Sequence, residues 1–290
     1  MATNEDGPRL RPSAGSGSSG RSDRSDRAGR SGGPRPNAPL LAFVLHSYDW
    51  SETSLIVELF TRERGRVVVA AKGAKRPTSN FRPVLLPFQP LLLLLGKTPT
   101  DEQAEVLNLR SAEWAGGQPI MPAASLLAGY YLNELLLKLL ARQDAHPGLF
   151  DAYADTVMAL ASAVDESSAL RAFELLMLRE LGVLPDLSIA TLSAQAVQAE
   201  ARYTLQPEAG LVSAAQGPTG QQWVGLEAAL SHGGAPVVRH ACAGVSAALR
   251  VPLRELLHYH LGHTTLRTRQ VWQGVRKLTR SARASAVEPT

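Results

Sequence analysis

Gly96-Lys97-Thr98 has the residue types that end a phosphate-binding P-loop, so nucleotide binding is the first chemistry to consider. That motif needs another glycine five residues before Gly96, and Leu91 occupies the position. The run from Leu91 to Leu95 consists only of leucine, which cannot form the glycine-rich backbone cradle that binds phosphates. We therefore interpret residues 96–99 as a turn between two strands.

A group of histidines near the C-terminus raises the possibility of a metal site: His258, His260 and His263, with His240 and Cys242 upstream. On a helix only residues three or four apart converge, which leaves the pair His260 and His263. No carboxylate or cysteine stands beside that pair at ligand spacing. We predict no metal and no other cofactor, and we interpret the histidines as surface or partly buried side chains.

Cys242 is the only cysteine, so the chain can form no internal disulfide and no zinc site with two or more cysteines. A single cysteine suits a reducing compartment, so the expected location is the cytoplasm. No G-x-S-x-G motif is present, and Cys242 has no distinctive flanking motif. We predict that the protein is not an enzyme, although a hydrolase whose residues assemble only in space stays open.

Basic residues concentrate between positions 62 and 82, where seven lysines and arginines stand against Glu63 alone. The sequence pI of about 9.4 also suits a nucleic-acid-binding protein. Phe81 lies inside the cluster and could stack on a base; the alternative is a solvated hairpin with Phe81 in the core. The predicted DNA contacts in this cluster are Arg62, Arg64, Arg66, Lys72, Lys75, Arg76 and Arg82.

A second basic group closes the chain, and from it Arg267 and Arg269 are added to the predicted DNA contacts. A basic helix can also bind an anionic membrane, but the apolar side of this one is poor. The two longest apolar runs, Leu85–Leu95 and Leu126–Leu140, are interrupted by proline or polar residues and are too short to span a bilayer. No membrane association is predicted.

Residues 1–38 are rich in glycine, serine, proline and arginine, with seven arginines against four acidic residues. Such a segment buries too little apolar surface to offset the entropy of ordering, so we predict a disordered tail. The tail is either only solvated or an auxiliary arm that contacts phosphates.

Short apolar segments separated by turn residues follow the tail and predict strands at 40–46, 53–60, 66–71, 88–95 and 102–113. Five short strands in such a length indicate a small barrel or sandwich. After Gly116-Gly117 the spacing becomes helical, with helices predicted at 123–141, 149–164, 169–181, 241–261 and 268–279 and an irregular region at 183–240. The predicted fold class is α+β, a β-barrel followed by a mostly helical domain.

Several ordered segments resemble the RecO family of bacterial DNA repair and recombination mediators. They include Val44-Leu45-His46-Ser47-Tyr48, Leu59-Phe60-Thr61-Arg62-Glu63-Arg64-Gly65 and Ala71-Lys72-Gly73-Ala74-Lys75-Arg76. Pro87-Phe88-Gln89-Pro90, Gly129-Tyr130-Tyr131-Leu132-Asn133-Glu134, Leu170-Arg171-Ala172-Phe173-Glu174 and Leu266-Arg267-Thr268-Arg269 continue the match. The resemblance runs from about residue 40 to 280.

The resemblance implies an OB-fold at 39–117 and a helical domain at 118–290. It implies binding of single- and double-stranded DNA, annealing of complementary strands, and help in loading RecA onto DNA coated with single-stranded DNA-binding protein (SSB) in the RecF pathway. The implied partners are RecR and the acidic C-terminal tail of SSB. Two alternatives are a protein–protein adaptor that uses the helical domain and an RNA-binding OB protein.

One departure from the family concerns zinc. Many relatives carry a four-cysteine zinc ribbon in the helical domain, but the corresponding stretch here, roughly 187–213, has no cysteine. We expect a degenerate ribbon-like insertion near 187–240 that keeps its shape by apolar packing.

Overall fold

Five strands form a closed barrel at the beginning of the computed structural model, which describes residues 38–96, 105–262, 264–272 and 274. The strands are β1 (Leu40–Asp49), β2 (Leu55–Thr61), β3 (Gly65–Ala71), β4 (Leu91–Leu95) and β5 (Val106–Trp114). Their order is β1-β2-β3-β5-β4, and the parallel pairing of β3 with β5, with Val69 opposite Leu107, closes the barrel. The strand predictions are confirmed in type, with ends displaced by a few residues.

Alternation along the strands separates an interior from an exterior face. Val57 and Leu59 of β2 and Val67 and Val69 of β3 point into the barrel and are fully buried. Phe60 points outward and is also buried, because helices cover this part of the barrel exterior. The barrel therefore has one core of its own and contributes one outer face to a second core.

The connection from β3 to β4, residues 72–90, lies over one end of the barrel, and we call it the cap segment. Ala74, Phe81, Val84 and Leu85 of this segment pack against the barrel core. Gly73 adopts a positive φ of 74°, a conformation that favours glycine, and the chain turns sharply there. The cap segment holds its position by burying apolar side chains, which leaves its polar residues at the surface.

The remainder of the described chain is mostly helical. The helices are α1 (Leu126–Leu139), α2 (Pro147–Ala161), α3 (Glu166–Glu180), α4 (Gly220–His232), α5 (Ala235–Cys242) and α6 (Ser246–Leu261). Two hairpins lie between α3 and α4, formed by β6 (Ile189–Ala190) with β7 (Gln195–Ala196) and β8 (Tyr203–Gln206) with β9 (Gly210–Ser213). Residues 267–272 are also helical.

The prediction of an irregular region at 183–240 is wrong for its second half, which contains α4 and most of α5. Thr219 caps α4 by accepting from the Gln222 backbone N–H, and the Gln222 side chain accepts from the Thr219 N–H. This capping box offsets the glycines and prolines nearby, which had favoured a loop. The single helix predicted at 241–261 is likewise two, because the chain turns at residues 243–245 between α5 and α6.

Aromatic side chains join the barrel exterior to the helices. Phe43 and Phe60 of the barrel contact Phe150 and Tyr153 of α2, with ring centroids 5.1 to 6.1 Å apart. Asn133 of α1 donates to the Leu45 carbonyl at 2.9 Å and accepts from the Tyr153 hydroxyl at 2.6 Å. The fold-class prediction, an OB-fold barrel followed by a helical domain, is confirmed.

Within the described residues, every helix is too short or too polar to cross a bilayer. The predicted N-terminal tail lies outside the described residues, except for its last position, residue 38.

Candidate nucleic-acid interface

The fold divides the basic cluster of residues 62–82 into two groups at different places on the barrel. Arg62 and Arg64 lie in the turn between β2 and β3, Arg66 lies at the start of β3, and we call the three the junction arginines. Gly65, the first residue of β3, approaches the helical domain so closely that a Cβ atom there would lie 1.6 Å from the Asp144 carbonyl oxygen. The junction arginines therefore sit where barrel and helices meet.

Arg62 is engaged by an acid of the helical domain. Its guanidinium donates to both carboxylate oxygens of Asp151 on α2, each at 2.9 Å. The hydrogen bond and the charge of Asp151 raise the pKa of Arg62. Both side chains stay about half exposed, so this bidentate contact fixes Arg62 at the surface of the junction.

Arg66 is engaged more deeply. Its side chain is only 13% exposed, its Nε lies 3.6 Å from a Glu58 carboxylate oxygen, and its guanidinium also donates to the Leu137 carbonyl of α1. Arg142 donates to the other Glu58 oxygen at 2.9 Å. Glu58 is itself buried, so the two arginines neutralise a charge that would otherwise be costly in the interior. The structure thus places the predicted DNA contact Arg66 in a structural ion-pair network.

The cap segment carries the other basic residues of the cluster, and we call Lys72, Lys75, Arg76 and Arg82 the cap cations. Lys72, Arg76 and Arg82 are exposed, and Lys75 is half-buried. Lys75 lies 3.2 Å from Asp49, which is 80% exposed. In the described part of the chain, Lys72, Arg76 and Arg82 form no salt bridge.

An open groove of about 770 Å³ runs beside the cap segment. Lys72 and Arg76 line it together with Arg110 of β5 and the aromatic side chains of Phe81 and Trp114. Trp114 is 55% exposed, and its indole N–H donates to the Val84 carbonyl at 3.3 Å. Cations beside an exposed aromatic ring are the combination that binds a nucleic-acid backbone and its bases.

Arg110 and Trp114 are residues that the sequence reasoning did not single out. Arg110 comes from the strand that pairs in parallel with β3, a long-range contact without a local signal. Phe81, the aromatic residue that was considered, is half-buried against the barrel core and contributes only part of its ring to the groove.

Arg267 and Arg269 belong to a different surface. The backbone N–H groups of Arg267 and Thr268 donate to the Glu134 carboxylate of α1 at 2.7 and 2.9 Å, so Glu134 caps the helical turn that begins there. Burial raises the pKa of Glu134, but hydrogen bonds from Thr268, Arg267 and Lys138 outweigh it and lower the pKa below its ordinary value. This anchor directs Arg269 towards a pocket in the helical domain.

That pocket has a volume of about 420 Å³ and combines basic and apolar walls. Its arginines are Arg171, Arg250, Arg254 and Arg269, and its apolar walls include Leu170, Leu266 and Trp272. We call it the helical pocket. Two glutamates, Glu166 and Glu174, also line it, so its basic residues outnumber the acidic ones.

Glu174 forms the buried base of the helical pocket. Arg171 donates to it at 2.6 Å and the Tyr131 hydroxyl donates at 2.8 Å. Burial raises the pKa of Glu174 despite these partners, and burial together with the Glu174 charge raises the pKa of Tyr131. Arg171 is thus a structural partner of Glu174, and Arg250, Arg254 and Arg269 are the cations that face an incoming anion.

The cysteine and histidine groups do not assemble into a metal site in the part of the chain that the structure describes, although His263 lies outside it. Cys242 is buried, and burial raises the pKa of its thiol to about 12, which keeps it protonated. In the region of the two hairpins, the Tyr203 hydroxyl accepts from the Gln198 N–H at 2.9 Å, and the Thr191 hydroxyl accepts from the Leu211 N–H at 2.9 Å. Protein hydrogen bonds and apolar packing hold these hairpins.

The fold and the site define a class: an OB-fold barrel with an exposed basic groove, joined to a helical domain through a shared core. Two family models match this chain, Recombination protein O N terminal at residues 40–114 and Recombination protein O C terminal at residues 123–229. The chain belongs to the RecO family of DNA repair proteins.

Individual relatives agree with the family models. The DNA repair protein RecO of Variovorax paradoxus (strain S110) is 52% identical over 252 residues, which cover 82% of this chain and 96% of the relative. The DNA repair protein RecO of Verminephrobacter eiseniae (strain EF01-2) is 51% identical over 79% of this chain and 93% of the relative. That of Acidovorax ebreus (strain TPSY) is 48% identical, with 82% and 96% covered.

Proposed function

We propose that this protein is a non-catalytic mediator of DNA repair that binds single- and double-stranded DNA, anneals complementary strands and helps load RecA onto SSB-coated DNA in the RecF pathway. Such work would place it in the cytoplasm, at the nucleoid. The observation that carries the proposal is the set of exposed cap cations beside an aromatic groove on an OB-fold barrel.

The cap cations offer an electrostatic mechanism for annealing. Each cation that contacts a phosphate releases a condensed counterion, which drives binding at low salt and lowers the repulsion between two strands. Lys72, Arg76 and Arg110 line one groove, while Lys75 and Arg82 line a second cavity of about 320 Å³, and Phe81 borders both. Cations in two neighbouring cavities could hold two backbones at once.

Strand annealing tests the proposal directly. The wild-type protein should accelerate annealing of complementary strands, and Lys75→Glu combined with Arg76→Glu should slow it by about tenfold or more at low salt, because both changes place negative charge beside phosphates. The matched control, Arg202→Glu with Arg239→Glu, changes the net charge equally but in the helical domain. Equal rates for the two double variants, or no acceleration by the wild-type protein, would contradict the proposal.

A second candidate function, protein contact, is favoured by the helical pocket. A peptide with acidic residues and an apolar end matches its three outward arginines and its walls of Leu170, Leu266 and Trp272. The acidic C-terminal tail of SSB is the occupant that we propose, and RecR is the second protein partner. Binding of the tail and of DNA at separate surfaces would let one molecule act on SSB-coated strands.

Fluorescence anisotropy with a labelled SSB-tail peptide checks this candidate. Arg250→Glu with Arg254→Glu should abolish peptide binding and leave the affinity for bare DNA within about twofold, because these residues lie away from the groove. Annealing on SSB-coated strands should then fail with this variant while annealing of bare strands continues. Addition of RecR to the same assay tests the second partner.

The alternatives have distinct outcomes. Peptide binding without any DNA affinity would favour a pure adaptor. Equal competition by RNA and DNA strands for the groove would favour an RNA-binding OB protein.

A further inference from the structure

Three ring-bearing side chains lie along the end of β1 and the turn that follows it: His46, Tyr48 and Trp50, which we call the aromatic strip. His46 and Tyr48 are two apart on the strand and share a face, and Trp50 follows directly after the strand ends. Tyr48 is 47% exposed and Trp50 is 56% exposed. The rings of His46 and Tyr48 lie 4.4 Å apart in an edge-to-face arrangement.

The strip begins where the helices stop covering the barrel. Phe43 of β1, opposite Phe60 of β2, is buried under α2, whereas Tyr48, opposite Ile56, is open to solvent. A β-bulge between Val44 and His46 shifts the in–out alternation of β1 by one residue, so that His46 and Tyr48 point away from the barrel interior. The aromatic residues of the first half of β1 thus serve the core, and those of the second half do not.

Lys75 lies next to the aromatic strip because the cap segment is tied to the same turn. The Lys75 backbone N–H donates to the Thr53 carbonyl at 2.9 Å, and the Gly73 N–H donates to Ser54 Oγ at 3.3 Å. Trp50 is held on the other side of this turn by its own N–H, which donates to the Ser54 carbonyl at 3.3 Å. The ammonium group of Lys75 reaches Asp49, the residue between Tyr48 and Trp50.

We propose that the aromatic strip stacks on unpaired bases of a DNA strand whose phosphates contact the cap cations, and that it gives the protein a preference for single strands. The proposal rests on the proposed function and adds a base-binding surface to it. A duplex hides its base faces, so only an unpaired strand can use Tyr48 and Trp50, whereas both forms can use the cations.

Charge complementarity selects a DNA strand over a protein as the occupant. The cation placed beside the strip is Lys75, and lysine is depleted at protein interfaces but common at phosphate contacts. A polyanion with planar, apolar bases satisfies both the cations and the rings.

The test compares affinities for an oligothymidine single strand and for a duplex. Tyr48→Ala with Trp50→Ala should weaken single-strand binding by about tenfold, the effect of losing one or two stacked bases, and should change duplex binding by less than about twofold. Trp50→Phe keeps a ring and should retain most of the affinity. Tyr259→Ala removes a ring of α6 that is 50% exposed and serves as the matched control, with no expected effect.

The salt dependence separates this inference from the proposed function. The double variant should keep the wild-type slope of affinity against salt, because stacking releases no counterion from phosphates. Unchanged single-strand affinity in Tyr48→Ala/Trp50→Ala, with the wild-type protein still binding DNA, would overturn the aromatic strip alone. Absence of DNA binding by the wild-type protein would instead overturn the proposed function. An equal loss for single strand and duplex would also contradict the inference.

Discussion

The junction arginines and the cap cations are close in sequence and equal in charge type, yet the barrel gives them different surroundings. Arg62 and Arg66 meet acids, Asp151 and Glu58, and join the barrel to the helical domain. The exposed cap cations lie over the barrel end, where only Lys75 meets an acid within the described residues. A count of basic residues therefore overstates the candidate DNA-binding surface, since a cation already paired with a carboxylate offers little to a phosphate.

The largest difference between the junction arginines and the cap cations should be in their contribution to the free energy of unfolding. Arg66→Ala should lower the free energy of unfolding by about 3 kcal/mol, because it removes one of the two cations that compensate the buried Glu58 carboxylate. Arg76→Ala, an exposed cap cation, should change it by less than about 0.5 kcal/mol. Urea denaturation measures both. Equal effects would show that the two groups do not differ in their structural engagement.

Arg267 and Arg269 lie on a segment that the Glu134 carboxylate anchors, and Glu134→Gln tests that anchor. The substitution should lower the free energy of unfolding by about 1 kcal/mol at neutral pH, because it removes a charged helix cap. The pKa of Glu134 is lowered in the folded state, so its contribution is full above the unfolded pKa of about 4.3 and is lost as the pH falls through the lower folded value. Thermal unfolding of the two proteins should therefore differ at pH 7 and converge in acid. A constant difference would contradict the cap.

Arg62→Ala should have the smallest effect, below that of Glu134→Gln, because both partners of its ion pair are about half exposed to solvent. A double-mutant cycle with Asp151→Ala gives the coupling, which should shrink further as salt is added. A coupling that stayed constant as salt was added would instead place Arg62 with Arg66 as a structural connection between the barrel and the helices.

Local patterns were sufficient to predict the barrel and its position. Runs of valine and leucine such as Val67–Val69 and Leu91–Leu95, punctuated by glycine, indicated strands, and the ordered matches to the RecO family indicated the OB-fold. α4 and α5 were missed because Gly225, Gly233, Gly234 and Pro236 outweighed the one local signal for a helix start, Thr219 with Gln222.

The division of the basic cluster could not be read from the sequence. It depends on contacts between distant residues, such as Gly65 with Asp144 and Glu58 with Arg142, which no local pattern encodes. The exposed Trp50 and Trp114 were missed for a related reason. Whether an aromatic residue at a strand end joins a core or faces solvent depends on the register and on what packs over the strand.

A salt titration of single-strand binding with two single variants tests the central claim most directly. Arg76→Ala and Arg62→Ala each remove one positive charge from the same stretch of sequence, but Arg62 is already paired with Asp151. Arg76→Ala should reduce the slope of log affinity against log salt by about 0.7, the value for one lost phosphate contact, and Arg62→Ala should leave it nearly unchanged. Equal reductions, or a larger one for Arg62→Ala, would contradict the assignment of DNA binding to the cap cations.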